Sequence, residues 1–147
     1  MRRLAMFALV GLVSVFGSAL PAHADTGTVS VSYATLTGAA EVPGPGDPDG
    51  SGWAEVVTVP DLGLVCYVIV VSGIETATAA HIHVGGPTVA GPVVVHLKAP
   101  NRAGVSAGCV RDVDPELAAN IAHNPGAYYV NVHNTPFPGG AVRGQLA

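Results

Sequence analysis

Between Thr28 and Gly38, Val29, Val31 and Tyr33 share one parity and Ser30 and Ser32 take the other. Strand side chains alternate between two faces, so this stretch predicts a strand. Glu41 to Ser51 is dense in Pro, Gly and Asp and predicts a loop. Gly52 to Val59 reads as a second strand holding Trp53. Leu62 to Val71 is a near-continuous apolar run, a form shared by buried strands and buried helix segments. Its β-branched residues Val65, Val68, Ile69, Val70 and Val71 favour a strand. Ala79 to Val84 is a short strand carrying His81 and His83, followed by a turn at Gly85-Gly86-Pro87. Pro92 to Leu97 predicts another strand, with Val93, Val95 and Leu97 inward. Ala127 to His133 and Gly140 to Leu146 predict the last two.

One segment breaks the pattern. Asp114-Pro115-Glu116 precedes Leu117-Ala118-Ala119-Asn120-Ile121, with Leu117 and Ile121 spaced to share one helix face. Asp suits the capping position and Pro the first helical residue. Asn124-Pro125-Gly126 stops the helix. The expected fold class is all-β: a small antiparallel β-sandwich or barrel of about 7–8 strands with one short helix. A parallel sheet would need several crossover helices. There is no internal repeat.

The N-terminus follows a different logic. Arg2 and Arg3 precede the almost wholly apolar or small run Leu4 to Leu20, then Pro21 and Ala22-His23-Ala24. A basic start, an apolar core and an A-x-A site in that order predict a signal peptide over residues 1–24, cleaved after Ala24. The rival is an uncleaved anchor, for which the run is at the short limit. Residues 25–147 would then form one exported, extracellular domain with no transmembrane segment. No lipid-attachment Cys lies near the cleavage site, so free release is the default expectation.

Cleavage changes the charge. Without Arg2 and Arg3, the cations are Lys98, Arg102, Arg111 and Arg143 against ten acidic residues, a formal charge of −6. Nucleic acid recognition draws on clustered cations, and this chain has none, so nucleic acid is excluded as a partner. The two cysteines, Cys66 and Cys109, predict one disulfide in an oxidising compartment, against the alternative of two buried thiols.

Several stretches resemble one family in its own order. Leu36-Thr37-Gly38-Ala39-Ala40-Glu41-Val42-Pro43 is similar to the opening motif of CHRD domains, the module repeated in chordin. Ala80-His81-Ile82-His83-Val84-Gly85 is similar to the central motif, and Gly91-Pro92-Val93-Val94-Val95 and Gly108-Cys109 fit the series. Asn124 to His133 and Gly140-Ala141-Val142-Arg143-Gly144-Gln145-Leu146 complete it. The resemblance implies an all-β extracellular module. Chordin binds secreted growth factors, but this chain lacks chordin's cysteine-rich repeats, so that partner does not carry over. The expected partner is an unidentified extracellular protein or glycan.

His81-Ile82-His83 is the strongest chemical signal. Residues i and i+2 of a strand share a face, so both imidazoles leave together while Ile82 enters the core. His133 joins them if Val130 and Val132 face inward, and Arg143 is opposite in parity to Val142 and Leu146. This set is similar to the copper half of copper/zinc superoxide dismutases. His81 and His83 would match the His-x-His strand, His133 the late Val-His, and Arg143 the anion-guiding arginine. The likeness stops at the zinc loop. Gly85 to Gly91 offers no His or Asp, and the bridging fourth histidine has no counterpart. Three imidazoles suit copper or zinc. The competing expectation is a purely structural network, with Asn131 and Arg143 tying the strands together.

The remaining chemistry is weaker. No serine or threonine sits in a nucleophile elbow. Glu41, Asp47 and Asp49 lack the calcium ladder and read as a solvated acidic loop. Trp53, Tyr128 and Tyr129 read as core aromatics rather than a binding surface. His96 reads as an exposed strand residue and His123 as a helix-end residue. The function expected is a secreted, non-enzymatic interaction module. The alternative is a copper-binding or redox protein using the three histidines on the outer face.

Overall fold

The computed structural model describes residues 28–147; the signal-peptide expectation for residues 1–24 falls outside them. The strands are β1 (Ser30–Thr37), β2 (Ser51–Val59), β3 (Leu64–Ser72), β4 (Ala77–Val84), β5 (Val93–Leu97), β6 (Val105–Val110), β7 (Tyr128–Asn134) and β8 (Val142–Gln145). One helix, α1 (Pro115–His123), lies between β6 and β7. All eight strands form one sheet in the order β5-β4-β7-β8-β1-β2-β3-β6, and the described pairs are antiparallel. The sheet curls into a nearly closed barrel. Its two edges are tied where Ser106 Oγ on β6 donates to Lys98 O just past β5 at 2.7 Å.

The interior follows strand parity. Leu36, Ala54, Val56, Ile69, Ile82, Val130, Val132 and Val142 turn inward and are fully or almost fully buried. Helix α1 adds Ala118 and Ile121 to this core. The Asp114 carboxylate accepts from Glu116 N at 2.8 Å and Leu117 N at 3.1 Å, so the predicted cap forms with Pro115 in the first turn. Among the described residues, no helix is long and apolar enough to cross a membrane.

Three local expectations are corrected. Val93 points outward, because the β4–β5 register shifts at a bulge between Ile82 and His83 and reverses its phase relative to Val95 and Leu97. Trp53 is 45% exposed on the outer face of β2; Tyr128 lies in the core as expected, whereas Tyr129 is buried on the outer face against His83 and Arg143. Val105–Val110 is a strand that the pattern did not announce. Ser106, Ala107 and Gly108 interrupt any β-branched run there, and Tyr67, the register partner of Gly108, packs over that glycine. Opposed Cys66 and Cys109 bond β3 to β6 in a disulfide, as the cysteine pair predicts.

Candidate metal centre

Strand β4 sets the site. Ile82 is fully buried, so His81 and His83 emerge on the opposite face. Strand β7 lies beside β4 with Ala79 opposite His133, His81 opposite Asn131 and His83 opposite Tyr129. His133 is therefore the diagonal neighbour of His81, within reach of long side chains. The three rings converge. Their centroids lie 5.0 Å apart for His81 and His133, 5.6 Å for His81 and His83, and 6.3 Å for His83 and His133.

Hydrogen bonds fix which nitrogens look inward. His83 Nδ1 lies 2.9 Å from Gly91 O, and His133 Nδ1 lies 3.0 Å from Pro138 O. A carbonyl can only accept, so each Nδ1 carries the proton and each Nε2 presents a lone pair. His133 Nε2 sits 3.1 Å from His81 Nδ1. His83 Nε2 is buried with no hydrogen-bond partner. The three histidines each offer a ligand nitrogen, all within 4.8 Å of one another. Two nitrogens sharing a metal at bonds of about 2.0–2.1 Å sit at most ~4.2 Å apart, so metal entry requires closure of no more than about 0.6 Å.

Electrostatics keep these rings neutral. Burial, then the nearby His133, His83 and His96, push the His81 pKa down to about 4. Burial also lowers the pKa values of His83 and His133, more than their carbonyl hydrogen bonds raise them. Neutral imidazole is the form that binds a metal.

The outer face here is covered rather than open. The loop from Gly85 to Gly91 folds back over β7 and β8. Arg143 Nη2 donates to Gly86 O at 2.7 Å and Nη1 to Val89 O at 3.0 Å, while Gln145 Nε2 donates to Gly85 O at 2.7 Å. The Arg143 guanidinium lies 3.4 Å from the Tyr129 ring centroid, and His83 stacks on the same ring at 4.8 Å. Arg143 is 2% exposed, so it holds the loop whose Gly91 carbonyl orients His83; it does not face solvent as an anion guide would.

Asn131 and Arg143 are register partners, and Asn131 Nδ2 donates to Glu41 Oε1 at 2.6 Å. Glu41 corrects the solvated-loop expectation, being only 8% exposed. Its carboxylate lies against Gly140, where a Cβ would collide with it, so a side chain at Gly140 (φ 148°) is excluded both by space and by backbone. Burial pushes the Glu41 pKa up to about 7, against the lowering effects of Asn131, the Arg143 charge and the Val42 amide. The folded state thus holds a proton that the unfolded chain has already released, so this group makes stability fall as pH rises from about 4.5 to 7. Glu41→Gln is expected to remove that slope, up to about 3 kcal/mol across the window, in urea melts at stepped pH. An unchanged slope would place the carboxylate in water.

The CHRD domain family model matches residues 32–146, essentially the whole described chain. The chain belongs to the CHRD domain family. No curated protein and no solved structure gives a significant match, so the likeness to the dismutase copper half rests on residues alone. His81, His83, His133 and Arg143 all lie within the matched span. Sequence reasoning named Glu41 but placed it in a solvated acidic loop rather than beside Asn131.

Proposed function

We propose that this CHRD domain is an exported module that holds one copper ion, with zinc as the competing occupant, on His81, His83 and His133. The observation that carries the reading is His83 Nε2, a buried lone pair with no partner beside two other imidazoles. A buried polar atom left unpaired costs about 1–3 kcal/mol, and a metal ion relieves that cost. Three nitrogen donors leave a coordination position open, and copper(II) binds nitrogen ligands more tightly than zinc does. Gly91 O and Pro138 O would orient two of the ligands, with Arg143 and Gln145 pinning the loop behind His83. The disulfide and the family support an extracellular setting. Loading the purified protein with copper and zinc, followed by dialysis and elemental analysis, is expected to leave one copper per chain. Retention of neither metal would remove the reading.

A second reading has its own support. Val31, Tyr33, Trp53 and Val105 are exposed on the outer face of β1, β2 and β6, away from the histidines. Exposed aromatics of this kind suit a non-enzymatic contact with an extracellular protein or glycan. Trp53→Ser is expected to abolish capture of such a partner without altering metal content. Capture unaffected by the substitution would place the contact elsewhere.

A further inference from the structure

The three-histidine set lacks a fourth ligand, and the loop after β4 contains none. The sheet itself supplies a candidate. His96 on the edge strand β5 is the direct register partner of His81. Opposed residues of an antiparallel pair project from the same face with Cβ atoms about 4.5–5.5 Å apart. The His96 and His81 rings meet edge to face with centroids 5.0 Å apart, the same separation as His81 and His133. His96 is exposed, on the same outer face as His81.

The other two approaches to the ligand nitrogens are built up. His83 is held against the Gly91 carbonyl beneath the returning loop, and His133 against the Pro138 carbonyl. The β4–β5 edge is the side from which an exposed, unrestrained imidazole can reach the ion. Imidazoles sharing a metal at nitrogen distances of about 2.0–2.1 Å have ring centroids roughly 4.5–6.3 Å apart, so the 5.0 Å spacing of His96 from His81 already lies in that range. His96 stands outside the close cluster of ligand nitrogens, so its side chain must swing inward, a motion open to exposed residues on a fast timescale.

Resting on the metal reading above, we propose that His96 is the fourth nitrogen ligand to copper(II), supplied across the β4–β5 pair. Copper(II) favours a tetragonal set of four N or O donors, which the triad alone leaves one short. Because His96 comes from an exposed edge strand, it is also the ligand that gives way to solvent or to an incoming donor.

Electron paramagnetic resonance of copper-loaded protein tests this, with His96→Ala beside the wild type and His123→Ala as an exposed-histidine control. The expected result is nitrogen splitting from four imidazoles in the wild type and three in His96→Ala. That variant should keep one copper with affinity lowered about tenfold, the low end for removing a group that supports a metal. Added imidazole should restore the fourth nitrogen, and His123→Ala should match the wild type. Identical spectra and affinities for wild type and His96→Ala would overturn the role of His96 while leaving the triad standing. Failure of the wild type to retain copper would overturn the triad and this proposal with it. Thermal melts of the apo forms check that His96→Ala folds.

Discussion

His83→Ala is expected to lower copper affinity by roughly two to three orders of magnitude. Structural zinc sites bind with about 10–16 kcal/mol shared among four ligands, so one ligand accounts for about 2.5–4 kcal/mol. His83 should stand at the top of that range. Its Nδ1 is already committed to Gly91 O and its ring is stacked on Tyr129, so its Nε2 reaches the ion with little freedom left to lose. The readout is the copper-induced rise in melting temperature, which follows from binding the folded state alone. In the wild type the shift should saturate at one equivalent; in His83→Ala it should vanish at the same concentration. His83→Phe separates ligation from packing. A phenyl ring can keep the stack on Tyr129 and removes the unpaired nitrogen, so the apo protein should stay folded and blind to copper. A copper response retained in both variants would return His83 to the structural network that the sequence also allowed.

The second large effect is on the fold. Replacing both cysteines, Cys66→Ala with Cys109→Ala, is expected to destabilise the protein by about 4 kcal/mol on the chain-entropy account of loop closure. The bond spans 43 positions in sequence, and the closed loop contains β4 and β5. It also secures β6, an edge strand whose Ser106-Ala107-Gly108 centre contributes little side-chain packing of its own. A melting temperature lower by on the order of 15 °C would correspond to that loss. A double variant within about 1 kcal/mol of the wild type would show that pairing with β3 alone holds β6. Copper affinity should change far less than stability, because neither cysteine touches β7 or the His83 loop.

Strand parity made much of this molecule readable in advance. Ile82 turns inward, so His81 and His83 turn out together, and Val130 and Val132 place His133 beside them. The helix was equally legible, since Asp114 and Pro115 act within one turn of chain. What escaped is long-range. Glu41 is buried because the segment after β1 lies against β8, with Asp47 N donating to Ala141 O at 2.9 Å, and no local pattern encodes that. The holders of the site are backbone carbonyls of Gly86, Val89, Gly91 and Pro138, which carry no sequence signal at all. His96 was correctly read as exposed, yet its pairing with His81 depends on register, and the bulge at Ile82 and His83 hides that register from any parity argument.

The central claim is that one ion is shared by three particular imidazoles. A crystal structure of the copper-loaded protein, with anomalous difference maps collected on either side of the copper edge, tests it most directly. The account predicts one strong peak between β4 and β7, about 2.0–2.1 Å from a nitrogen of each of His81, His83 and His133. A copper peak elsewhere, with His83 Nε2 still unpaired in the metal-saturated crystal, would contradict it.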